Sequence, residues 1–181
     1  RSDLTTNIPD FITLFEAAAA RKLKVRLQET VATLTPSSGV ATLPIDYLGH
    51  RRVTWTGNPR VELAYLPPPA FQASWPTQPS GTPSAYTIEG SNLRLMPLND
   101  TDIELGYYQR TAAVSGALNW LFTNHPDAYM FGSLCEANAF NKDVDPAGLW
   151  KGRRDEVFDE IAKLDFNERS GMAMIVMGPT P

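Results

Sequence analysis

The hydrophobic rhythm of the chain changes more than once along its length. Between Asn7 and Lys24 the apolar positions Phe11, Ile12, Phe15, Ala18, Ala19 and Leu23 return every three or four residues, which predicts an amphipathic helix. Asn7 stands where a cap is expected, and Asp10 falls in the first turn. Pro9 is tolerated there because the first N–H groups of a helix have no partner. Arg21, Lys22 and Lys24 collect at the far end, where cations suit the helix dipole. From Val25 the rhythm becomes two, with Val25, Leu27, Glu29 and Val31 on one side and Arg26, Gln28 and Thr30 on the other, as in a strand. Further strands are predicted near Val40 to Leu43, His50 to Trp55, Arg60 to Tyr65, Ala85 to Glu89, Leu93 to Met96 and Ile103 to Gln109. Gly90-Ser91-Asn92 suits a hairpin turn, so the middle of the chain is expected to form an antiparallel sheet.

Residues 66–84 interrupt this pattern. Pro67, Pro68, Pro69, Pro76, Pro79 and Pro83 lack the N–H that a sheet ladder needs, which predicts a long loop. Phe71 and Trp75 are too large and apolar for a solvated linker. They are expected to dock either on the core of their own subunit or on a neighbour.

Helical spacing returns after the sheet. Pro126 to Asn141 is predicted to be one helix, with Asn124 as its cap and Tyr129, Met130, Ser133, Leu134, Ala137 and Phe140 as its apolar side. A second helix is expected from Pro146 to about Asn167, with Leu149, Trp150, Val157, Ile161 and Leu164 facing inward and Lys151, Arg153, Arg154, Glu156 and Glu160 facing water. The expected fold is α+β: an N-terminal helix, a central antiparallel sheet with a Pro-rich loop, and a C-terminal helical pair, forming a single domain over residues 1–170. Residues 171–181 read as an extended apolar tail. Met172, Met174, Ile175, Val176 and Met177 form an adaptable contact surface that completes the chain's own sheet or docks on another subunit.

Composition narrows the function. A chain of 181 residues with 43% apolar content supports one sizeable core. The net charge of −4, with both signs interspersed, lacks the basic face of a sequence-reading DNA binder. The single cysteine, Cys135, excludes an intrachain disulfide and suits a reducing compartment. No apolar run of about 18 residues and no leader pattern stands out, so a soluble protein made in the cytoplasm is expected, without a membrane partner.

The candidate chemistry is sparse. His50 and His125 do not stand at metal-ligand spacing with Cys135, and no metal or cofactor is expected. Asp143-Val144-Asp145 begins like a calcium loop but lacks its later ligands, so Asp145 is read as a helix cap. Asp100, Asp102 and Glu104 form a carboxylate cluster that, with His125, makes a hydrolase the weaker alternative; as a rule a solvated turn explains such a cluster. Cys135 sits among apolar residues, as an inert thiol does. No catalytic residues are assigned. Arg51, Arg52, Arg153 and Arg154 form two basic doublets, either solvated or paired with acidic groups on adjacent subunits. A carbohydrate- or peptide-binding β module, monomeric and rich in aromatics, is a further alternative.

Seven short motifs fall in one order along the chain. They are Ile8-Pro9-Asp10-Phe11-Ile12, Leu43-Pro44-Ile45-Asp46-Tyr47-Leu48, Arg51-Arg52-Val53, Tyr86-Thr87-Ile88-Glu89-Gly90, Tyr107-Tyr108-Gln109-Arg110, Asn119-Trp120-Leu121 and Pro126-Asp127-Ala128-Tyr129. In this order the chain resembles the head-to-tail adaptor proteins of tailed bacteriophages. It departs from them at Thr111-Ala112-Ala113-Val114, where the family commonly has an Ile-Pro-Ala-Leu segment. The resemblance implies a non-enzymatic virion component at the head-tail junction, assembled in the host cytoplasm. It further implies a ring of about twelve copies that binds the portal protein and a downstream tail or nozzle protein and extends the channel through which genomic DNA is ejected. A stopper or tail-completion protein is the nearest alternative. The interface candidates are Phe71, Trp75, Arg51, Arg52, Arg153 and Arg154, with the tail residues named above.

Overall fold

The computed structural model describes residues 2–170. The fold is α+β. The chain groups into two compact units, one of residues up to Leu27 together with those from Thr111 onward, the other Gln28–Arg110. The tail residues Met172, Met174, Ile175, Val176 and Met177 lie outside the described residues.

In the helical unit a 3-10 turn over Ser2–Asn7 leads into α1 (Ile8–Lys22). Asn7 occupies the cap position but makes no side-chain cap hydrogen bond, because the preceding turn already continues the helical path. Helices α3 (Trp120–Asn124), α4 (Pro126–Phe140) and α5 (Val144–Ser170) follow. The predicted cap Asn124 belongs to α3 instead, and Asn119 is the residue that caps, its side chain accepting from the Phe122 N–H at 2.9 Å. Lys142, at φ 62°, turns the chain between α4 and α5, which run antiparallel. Phe15, Ala19, Leu23, Val25, Leu121, Ala128, Tyr129, Val157, Phe158 and Ile161 make the core of this unit.

The faces of α4 and α5 differ from those expected. On α4 the buried positions are Ala128, Tyr129, Gly132 and Cys135, while Met130 and Phe140 are exposed. Small residues sit inside because α1 approaches closely: a Cβ on Gly132 would lie 1.9 Å from the Phe15 ring. On α5 Leu149 and Leu164 are exposed, whereas Arg154, expected to face water, is buried.

The β unit begins later than the alternation suggests. Val25 joins the helical core, Arg26–Gln28 form a 3-10 turn, and β1 spans Glu29–Leu34. Leu27 and Val31, which the alternation places on one side, are 57% and 56% exposed. The remaining strands are β2 (Val40–Thr42), β3 (Tyr47–Trp55), β4 (Val61–Glu62), β5 (Ala64–Tyr65), β6 (Ala85–Glu89), β7 (Asn92–Met96) and β8 (Ile103–Gln109). They form two four-stranded sheets, ordered β1-β8-β3-β4 and β2-β7-β6-β5, in place of one sheet. Among the described residues every strand pair is antiparallel except β5 with β6. Parallel neighbours need a crossover, and the proline-rich segment supplies it. Within that segment Pro68–Ser74 is a short helix, α2, its first two positions filled by prolines that fit a helix start. It packs on β6. The hairpin from β6 to β7 turns at Gly90 and Ser91, with Gly90 at φ 61°. Both sheets contribute to one core, including Val53, Trp55, Leu105 and Tyr107 from the first and Ala41, Tyr86, Leu93 and Leu95 from the second.

Candidate assembly surfaces

Several of the residues that carry potential chemistry have structural partners. Asp100 accepts from the Gly39 N–H at 3.1 Å, and Asp102 accepts from the Thr35 hydroxyl at 2.7 Å. Glu104 pairs with Arg60 at 2.5 Å. These carboxylates are therefore tied to separate donors, in a unit that does not contain His125. His50 lies 3.3 Å from the Tyr47 hydroxyl and packs on the rings of Tyr65 and Tyr86. Burial pushes the Cys135 thiol up, away from the thiolate that a nucleophile needs. No group of three or more His, Cys, Asp or Glu residues able to hold a metal occurs among the described residues. Nor is any helix among them long and apolar enough to cross a membrane.

The interface candidates fall into different settings. Phe71 is buried on α2 and half-buried Trp75 packs against it at a tilt, ring centroids 5.3 Å apart. The segment after α2 is held to the chain before β8 by Leu98 N–H to Pro79, Gly81 N–H to Leu98 and the Asn99 amide to the Gly81 carbonyl. Arg51 and Arg52 are exposed on β3, in a cleft of about 510 Å³ that also presents Glu29, Glu62 and Tyr107. Arg51 pairs with Glu29 at 3.2 Å and lies over the Tyr108 ring. Arg52 packs across Gly106, its register partner on β8, where a Cβ would come within 3.1 Å of its side chain. The cleft thus presents both signs of charge, which suits a protein surface of matching pattern better than a polyanion.

Arg153 is exposed and pairs with Glu156. Arg154 is an internal tie: it donates to Asp155 from Nε and Nη2 at 3.1 and 3.0 Å, lies 3.9 Å from Glu136 of α4, and covers the Phe158 ring. Asp155 also receives Lys22 of α1 at 2.9 Å. Burial raises the Asp155 carboxyl, but the hydrogen bonds and charges of Lys22 and Arg154 outweigh it and hold the group below the usual carboxylate range.

The surface that sequence reasoning missed is an apolar groove of about 540 Å³ on the helical unit. Its walls include Ile8 and Ile12 of α1, Phe122 of α3, and Met130, Leu134 and Ala137 of α4. Ile8 is 47% and Met130 53% exposed, and Ser133 and the Tyr129 hydroxyl are the polar groups on the α4 wall. The periodicity of α4 carried the signal: its predicted inward side is largely this groove. A loop fixes one edge, because Val114 donates its N–H to Glu16 at 2.7 Å while Asn119 donates to the Ala112 carbonyl at 2.7 Å. Trp120 adds a hydrogen bond from its indole N–H to the Thr111 hydroxyl. The motif Asn119-Trp120 therefore serves geometry, holding Val114 and Phe122 at the groove.

An apolar recess of this kind on a helical surface, with a mixed-charge cleft on a sheet, is the equipment of a protein that binds other proteins. No curated protein matches the chain. The pattern of the SU10 adaptor protein family matches residues 1–177, so the chain belongs to that family, a family of phage head-to-tail adaptors.

Proposed function

We propose that copies of this chain form a closed ring under the portal, joining the capsid to the tail and extending the DNA channel. The observation that carries this reading is the apolar groove beside Met130 and Ile8, because contiguous apolar surface on a soluble domain marks a place where another protein sits. Family membership over residues 1–177 supplies the setting, a phage head-tail junction, and with it the portal and a downstream tail component as partners. A dodecamer built from head-to-tail contacts matches the portal's symmetry. The pairing of Arg51 with Glu29 and of Arg153 with Glu156 leaves little concentrated positive charge on those surfaces. Together with the net charge of −4, this suits a channel past which DNA slides without sequence-specific contact. No reaction is assigned to the chain.

The test is mass in solution, measured with and without purified portal. The expected result is a ring on the portal with a fixed stoichiometry. A chain that stays monomeric at all concentrations, alone and with portal, contradicts the reading. Trp75→Ala separates a loop contact from a folding role: reduced ring formation with an unchanged Tm places Trp75 at an interface, whereas a lowered Tm alone assigns it to the packing around Phe71.

A further inference from the structure

We infer that the groove between α1 and α4 receives the apolar segment Met172–Met177 of the next copy in the ring. The inference rests on the ring reading and adds to it the contact by which one subunit holds the next.

The groove wants an apolar occupant. Its volume of about 540 Å³ is that of a cleft which encloses a few side chains, and its walls are aliphatic and aromatic apart from Ser133 and the Tyr129 hydroxyl. Unbranched, polarizable methionines fill such irregular recesses well. Met172-Ala173-Met174-Ile175-Val176-Met177 is an unbroken run of six apolar residues. An extended segment added to a half-exposed sheet edge turns every second side chain to water, and this run has no polar position to place there. It therefore suits a recess better than the free edge of β1, whose outward positions include Glu29 and Thr33.

Chain length decides whose groove it is. Only a short turn joins Phe140 to Val144, and Phe15 packs on both Tyr129 near the start of α4 and Phe158 well along α5, so α5 runs back along α4. Helix α5 has 27 residues against 15 in α4, an excess of 12, so at 1.5 Å per residue it outruns the start of α4 by about 18 Å. The groove runs along α4 from Pro126 to Ala137, in the direction opposite to that overhang. To reach its own groove the tail would have to double back over those 18 Å, using about five or six extended residues on the way. Gly171 to about Val176 would then be spent before the groove begins. A neighbouring subunit placed at the end of α5 has no such constraint. Donor and acceptor also lie at different places on the same unit, which makes the contact heterologous and able to close into a ring.

The experiment uses two full-length chains with different tags, one carrying Ser133→Cys and the other Met174→Cys, mixed and assembled into rings in solution or on purified portal. Mild oxidation is expected to give a disulfide between the two tagged chains, with each variant alone as the background that accounts for buried Cys135. Rings that form without this cross-link overturn the inference and leave the ring reading intact. A Ser133→Cys, Met174→Cys double variant that links only within one chain overturns it as well. A failure of rings to form in either setting removes the ring reading and this inference together. As a second measurement, a labelled peptide of residues 171–181 is expected to bind a chain truncated after Ser170, with at least a tenfold loss for the same chain carrying Met130→Glu, a substitution at an exposed position that leaves the fold intact by circular dichroism. Equal binding to both overturns the groove as the seat.

Discussion

Tyr129 donates its hydroxyl hydrogen to Glu16 at 2.9 Å, and the same carboxylate oxygen accepts the Val114 N–H at 2.7 Å. One residue of α1 thereby holds both α4 and the loop that edges the groove. Asn119 completes the network from the other side, its amide nitrogen 2.7 Å from the Tyr129 oxygen.

Tyr129→Phe keeps the ring packed against Phe15 and Phe122 but removes the hydroxyl. The expected loss is about 1 to 2 kcal/mol, the cost of a hydrogen bond whose former partners stay part-buried. Urea denaturation measures it. A change below a few tenths of a kcal/mol would show that the network merely follows the fold.

Three glycines in the helices separate packing from propensity. Gly132→Ala gains about 1 kcal/mol in helix propensity, but its methyl would overlap the Phe15 ring at 1.9 Å, and overpacking costs about 1 to 3 kcal/mol. Phe15 is fully buried and has nowhere to move, so a net destabilisation is expected. Gly148→Ala and Gly152→Ala meet open space and are expected to stabilise by about 0.5 to 1 kcal/mol each. Thermal unfolding of the three variants should give opposite signs.

Burial pushes Tyr86, Tyr107 and Tyr129 up to about 12 from 10.0, with the Asp46 hydrogen bond adding to the effect at Tyr107. Their folded values exceed their unfolded ones, so the stability they contribute is complete below about pH 10 and is lost as pH rises toward 12. Ultraviolet titration of the native protein is expected to show these phenols ionising late, and in denaturant all six tyrosines should titrate together near about pH 10. Late phenols that titrate normally in the folded chain would contradict the packing described for them.

At acid pH the relevant group is Asp155. Burial works against its charge, yet Lys22 and Arg154 depress its folded value below the unfolded one. The stability it contributes is present above the unfolded value near about 3.9 and is lost as pH falls through the depressed one. Asp155→Asn is expected to lower the Tm at neutral pH and to flatten its fall between about pH 5 and pH 2. Equal slopes in wild type and variant would remove Asp155 as the tie between α1 and α5.

Local pattern was enough wherever an element could be recognised from its own residues. Strands β6 and β8 fall at the positions read from alternation, and α1 and α4 begin and end within about two residues of their helical spacing. The turn at Gly90 needed a positive φ, and the residue type announced it. The α+β class and the family follow from these elements and the order of the motifs.

Tertiary structure decided what each apolar or charged residue faces, because a period shows that a helix has sides and leaves open what each side meets. On α4 much of the side read as apolar became the groove, while Gly132 admits the Phe15 ring of α1 and Ala128 and Tyr129 join the core. Arg154 turned inward because Asp155, Glu136 and the Phe158 ring together compensate its burial, an arrangement drawn from two helices. Likewise the prolines of residues 66–84 announced a break in the sheet, but only the parallel pairing of β5 with β6 required the break to be a crossover, with a helix in it. The sequence determined the elements and their order; contacts between residues far apart in the chain determined which surfaces were left for assembly.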